Sequence, residues 1–218
     1  MAPDLLVKAA FVRGDCNNSK HEFVSRNSVR TDFILQNVYS YLIKDAYAFE
    51  SCPATTRKEA SVLKDLKEIV DAFRSNYLFR IQNLCSELDV TFDTVGSVLL
   101  GVSNELFSDG ITWSRIIALF IFVAELTVQC LAQSFPVTIV DITYECFSRL
   151  VKENLLVWIE DHGGWEGLRS LSKTEKGDSN QLMNEQQTNG TLAKSILHGT
   201  IKVFGFFANL ANQTAGLP

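Results

Sequence analysis

Apolar residues in this chain recur every three to four positions and rarely every two. That is the period of helices packed along one face, so an all-α fold is predicted. Within residues 28–49, Ile34, Val38, Tyr41, Leu42 and Ala46 fall on one stripe. Ser51-Cys52-Pro53 ends it, because proline cannot donate into the helical ladder. Thr56-Arg57-Lys58-Glu59 then has the form of a capping box, hydroxyl and carboxylate each taking an orphan first-turn amide. Val62, Leu66, Ile69 and Phe73 form the next stripe. Tyr77, Ile81 and Leu84 extend it through an expected bend into a short third helix. A fourth helix is predicted over about residues 94–107, with Gly110 in the left-handed position beyond its end.

Residues 116–123 are apolar on every side. Such a helix is buried all round or spans a membrane. The run before Glu125 is about eight residues against the ~20 that a span needs, so a central core helix is expected. Ser134-Phe135-Pro136 restarts the chain, serine as cap and proline in the first turn. Ile139, Val140, Tyr144, Phe147, Leu150 and Val151 carry that helix to about residue 156. Two such neighbours on a short link should pair as an antiparallel hairpin with the rest wrapped around it. Residues 158–160 continue as helix to a stop at Gly163-Gly164, and 165–171 make a short amphipathic piece. The implied organisation is a loose arm at 1–27, a helical bundle at 28–172, a polar linker at 173–190 and a C-terminal helix at 191–218.

Composition narrows the function classes. A chain of 218 residues suffices for one domain with a real core. The net charge of −5 does not suit a nucleic-acid surface. The five cysteines are scattered without metal spacing and read as reduced thiols. Residues 1–12 carry Asp4 and Lys8 and have apolar runs too short for a signal peptide. The apolar stretch 196–210 is about fifteen residues and is interrupted by His198, Lys202 and Asn209. It reads as an interfacial amphipathic helix, a helix folded back on a groove of the bundle, a weak anchor or a soluble tail, with Lys194 and Lys202 suited to an anionic membrane face. No nucleophile elbow, phosphate loop, Cys/His dyad or metal signature occurs, so neither an enzyme nor a cofactor is expected.

One cation stands out. Arg115 lies in the first turn of the apolar helix, where a charge calls for a partner. Its surroundings, ELFSDGITWSRIIALF from residue 105, resemble the first homology motif of the Bcl-2 family of apoptosis regulators, roughly ELF-x-DG-x-NWGR and an apolar run. WIEDHGGW at 158–165 resembles the second motif. Leu66-Lys67-Glu68-Ile69-Val70-Asp71-Ala72-Phe73 resembles the third, BH-3, and residues 34–47 match the fourth loosely. The resemblance covers about residues 30–172.

The resemblance implies a bundle of about eight helices around a central apolar hairpin. An elongated groove in it takes a partner's amphipathic BH-3 helix by four apolar anchors and one aspartate. Each buried anchor contributes roughly 1.5–3 kcal/mol gross, and the forked guanidinium of Arg115 would hold the aspartate. Carried over position by position, the groove would be lined by Phe73, Tyr77, Ile81, Leu84, Val102, Glu105, Leu106, Thr112, Ser114, Arg115, Ala118 and Phe122. The chain's own BH-3 motif would be Val62, Leu66, Ile69, Asp71 and Phe73.

Three positions depart from the family pattern. Thr112 replaces an asparagine, Ser114 a glycine that lets the ligand approach, and Val70 the small residue before the BH-3 aspartate. Bulk at Val70 should clash if this helix were offered to another groove. The implied function is therefore pro-survival: sequestering BH-3 helices of Bak- or Bax-like and BH-3-only proteins, in the cytoplasm and on the mitochondrial outer membrane, with the endoplasmic reticulum as a further location. The alternative is a Bak- or Bax-like effector that oligomerises and permeabilises that membrane.

Overall fold

The structure, a computed structural model, describes residues 29–169. The expected arm, linker and C-terminal helix lie outside the described residues. Among those described there is no strand, and six α-helices follow in order: α1 (Thr31–Ile43), α2 (Arg57–Glu87), α3 (Val95–Leu106), α4 (Trp113–Ala132), α5 (Ile139–Leu150) and α6 (Leu156–Asp161). A π-helical turn, Val151–Leu155, joins α5 to α6 without a break, and a 3-10 turn, Gly164–Leu168, closes the described chain.

The centre is α4. Every residue from Ile116 to Thr127 is buried, whichever side of the helix it occupies. That requires neighbours all round, and α1, α2, α3 and α5 supply them. Thr127 bonds Thr143 and the Phe120 ring meets Phe147, 5.0 Å between centroids. Partner numbers run in opposite directions, so α4 and α5 form the expected antiparallel hairpin. By length and composition α4 could cross a membrane: it has 20 residues and a mean hydropathy of 1.9. The helix is longer than the eight-residue run, because the apolar pattern resumes beyond Glu125. The helix is nevertheless a core helix in the structure, with most of its surface covered.

Three other expectations are corrected. The predicted bend and separate third helix do not exist, because α2 runs unbroken for 31 residues. Arg74, Ser75 and Asn76 at the expected break are all compatible with helix, and the flanking apolar stripe keeps its register on α4. The predicted first helix is shorter than 28–49. It stops at Ile43, and residues 44–56 form the connection to α2. Lastly, α5 begins at Ile139 and not at the serine-proline pair. Ser134 sits at φ 65, in the left-handed region, where it reverses the chain and does not cap a helix.

The capping box forms with a shift. Thr56 Oγ1 accepts from the Glu59 amide at 3.1 Å. The Glu59 carboxylate reaches one residue further than expected, to the Thr55 amide (2.8 Å) and hydroxyl (2.9 Å), and also binds Arg30 Nε at 2.7 Å. Burial alone would raise the Glu59 pKa. The Arg30 and Thr55 donors outweigh it and hold the carboxyl down at about 2.

Candidate functional site

The start of α4 is built by its turn. Gly110 has φ 104, a conformation that L side chains rarely adopt, and this folds the chain back after α3. Thr112, in extended conformation, accepts from the Arg115 amide at 3.3 Å and caps α4. Its hydroxyl oxygen thus caps its own helix, where the family pattern has an asparagine. Arg115 is held inward, its side chain 14% exposed. Nη1 donates to the Gly110 carbonyl at 2.5 Å, and Nη2 lies 3.6 Å from Asp109 Oδ2. Ser114 is half-buried beside it and Glu105 half-buried on α3.

The apolar positions carried over by resemblance lie on three helices. Phe73, Tyr77, Ile81 and Leu84 line one face of α2, with Phe73 and Tyr77 rings 4.7 Å apart. Val102 and Leu106 come from α3, Ala118 and Phe122 from α4. Both α2 and α3 pack on α4. All eight are at most 9% exposed, so these side chains are packed in the free chain.

The chain's own BH-3 segment is turned inward. Val62, Leu66 and Val70 are fully covered and Phe73 nearly so, while Ile69 is partly buried against them. Asp71 is the exception, accepting from the Tyr41 hydroxyl at 2.8 and 2.7 Å on its two oxygens. Lys44 and Lys67 lie over the Tyr41 ring, 4.5 and 4.8 Å from its centroid.

Two features have no counterpart in the expectations above, and the three tryptophans take the core packing expected of them. Glu125, in the middle of apolar α4, is 6% exposed and joined to α2 by Arg74 Nη2 at 3.2 Å and Gln82 Nε2 at 3.1 Å. The break it makes in the apolar run was the available signal. A cleft of about 430 Å³ lies between α1, the 44–56 connection and the first half of α2, with Phe33 and Leu63 in its wall and Lys64, Lys67, Glu68 and Asp71 around it. No local sequence pattern announces it. Finally, Trp113, Trp158 and Trp165 gather at one end, Trp113 lying 5.3 Å from Trp158 and 6.2 Å from Trp165 by centroid. The His162 ring stacks on Trp158 at 3.9 Å, and Trp165 Nε1 donates to Thr31 Oγ1 at 3.1 Å. The two motif segments around Trp113 and Trp158 thus meet in one packed cluster.

Comparison with known proteins agrees with this architecture. A family model described as "Apoptosis regulator proteins, Bcl-2 family" matches residues 66–165. Apoptosis regulator BAX of Mus musculus is 35% identical over 122 residues, covering 56% of this chain and 59% of that protein. Bcl-2-like protein 1 of Homo sapiens is 33% identical over 149 residues, 65% of this chain and 63% of that protein. The chain thus spans about three fifths of the length of these relatives. A Trichoplax adhaerens protein, trBcl-2L2 bound to trBak BH3, superposes with a TM-score of 0.57 at 26% identity, over 65% of this chain and 95% of that one. Chicken BOK shares the fold, with a TM-score of 0.53 at 22% identity over 64% of this chain and 92% of that one. Both motif segments fall inside the matched region, on the hairpin-centred bundle that these solved structures share, so over residues 66–165 the chain is similar to the Bcl-2 family.

Proposed function

We propose that this chain is a pro-survival regulator of apoptosis that captures BH-3 helices of pro-apoptotic relatives between α2, α3 and the start of α4. The observation that carries the reading is Arg115, a guanidinium held at the head of the apolar central helix. The apolar residues carried over to the ligand lie on α2, α3 and the following turns of α4. Apolar anchors drive such a complex, and a lone aspartate on the ligand needs a forked cation to enter it. The Trichoplax neighbour, itself bound to a BH-3 segment of a Bak protein, supports the class of partner. The inward packing of the chain's own BH-3 segment, with Val70 fully covered, supports the receiving role over the donating one. Its place of action is the cytoplasm and the mitochondrial outer membrane, with peripheral membrane contact.

A second reading is an effector that permeabilises that membrane. The length and hydropathy of α4 favour it, as do the similarity to BAX and the fold shared with BOK. Release of a dye from liposomes of mitochondrial lipid composition separates the two. A pro-survival protein blocks release by a Bak-like effector and causes none itself. Release by the purified chain alone, after addition of a BH-3 peptide, would establish the effector instead. For the site, Arg115→Glu is expected to weaken BH-3 peptide binding at least tenfold by calorimetry with helical content unchanged. Unchanged affinity would remove the groove assignment.

A further inference from the structure

Resting on the groove reading, we propose that Asp109 is an internal competitor for Arg115 and thereby sets which ligands the site accepts. The guanidinium that would receive a ligand's carboxylate is already engaged, by Asp109 Oδ2 at 3.6 Å and by the Gly110 carbonyl at 2.5 Å. Both partners belong to the turn that precedes α4. A ligand aspartate must therefore displace a carboxylate as well as water.

Two physical effects act in the same direction. The Asp109–Arg115 contact stabilises the free protein, and binding forfeits it. If Asp109 stays where it is, two carboxylates face one guanidinium and repel each other. Asp109 is 40% exposed, so solvent screens the pair and its effect is modest. A ligand that binds Arg115 through both carboxylate oxygens can offset the loss of Asp109 and Gly110. One that offers a single acceptor, such as asparagine, gains little by displacing them.

The test is a two-by-two comparison by calorimetry. The full chain and its Asp109→Asn variant are each titrated with a BH-3 peptide and with the same peptide carrying asparagine for aspartate. Asp109→Ser serves as a second variant, and Arg115→Glu is measured alongside. The expected result is binding of the aspartate peptide about two- to fivefold tighter to Asp109→Asn and Asp109→Ser than to the parent, with no gain for the asparagine peptide. Equal tightening of both peptides would reduce Asp109 to a general charge effect and overturn the proposal. So would unchanged or weaker binding of the aspartate peptide while Arg115→Glu still costs tenfold. If Arg115→Glu itself leaves binding intact, the groove reading falls and the proposal with it.

Discussion

Among the described glycines, Gly167 is the least able to take a side chain. A Cβ built there would lie 2.1 Å from the His162 carbonyl oxygen and 3.0 Å from the Trp113 ring. The carbonyl belongs to backbone already turned by Gly163 at φ 88, so it cannot swing aside. Gly167→Ala is expected to destabilise by at least about 2 kcal/mol, read as a lower denaturation midpoint with an unchanged slope. The glycine lies in the motif segment's wake, yet no spacing rule singles it out, since what forbids the side chain is an oxygen five residues earlier folded back upon it. Arg115 presents the opposite case. Its position and charge were legible, while its engagement with Asp109 was not. A side chain's partner depends on how the turn at 108–112 is folded, and only Gly110 hinted at that. Glu125 likewise read as the end of an apolar run, whereas its purpose is visible only once Arg74 and Gln82 arrive from another helix.

At the scale of the element, α2 carries the largest departure from expectation. Its apolar stripe was read correctly from Val62 to Leu84, but whether the chain bends midway is decided by α4, which supports both halves of the stripe at once. Its start was more legible, because a capping box is local. Even so, Glu59 does more than cap. It fastens α2 to Arg30 at the entry to α1, and through Thr55 to the end of the connection. Its folded pKa of about 2 lies below the ordinary 4.5, so its contribution is fully present above about pH 4.5. It is lost as pH falls from there toward 2, and amounts to about 3 kcal/mol at most. Denaturant unfolding across that window should show the loss, and Glu59→Gln should flatten this part of the pH profile. A profile equally steep in the variant would mean that other carboxylates carry the acid sensitivity.

At the scale of the whole molecule, three helices are tied through a buried cluster of hydroxyls. Tyr39 of α1 lies 3.1 Å from Thr127 of α4 and 2.7 Å from Thr143 of α5, and it donates to the Val140 carbonyl at 3.1 Å. Burial pushes the phenol's pKa far up, so it stays protonated and able to donate. Each threonine is also bonded within its own helix, Thr127 to Val123 at 2.8 Å and Thr143 to Ile139 at 2.9 Å. Tyr39→Phe therefore leaves no threonine without a partner. It should cost only about 1 kcal/mol, a fall of about 2–4 °C in melting temperature by calorimetry. A much larger fall would mean that the cluster acts as a unit whose loss loosens the hairpin.

By itself, the sequence determined the helical class, the central hairpin, the stripes that face it and the family motifs at 66–73, 105–115 and 158–165. These depend on periodicity, capping chemistry and short motifs, all of which are local along the chain. Tertiary structure alone decided that α2 is one helix, that the apolar residues expected to meet a ligand are covered, and that Arg115 is already held by Asp109 and Gly110. Each of those is a statement about which surfaces meet. Apolar burial is non-directional and rewards any packing that excludes water, so the same stripe that could receive a foreign helix also closes upon its own.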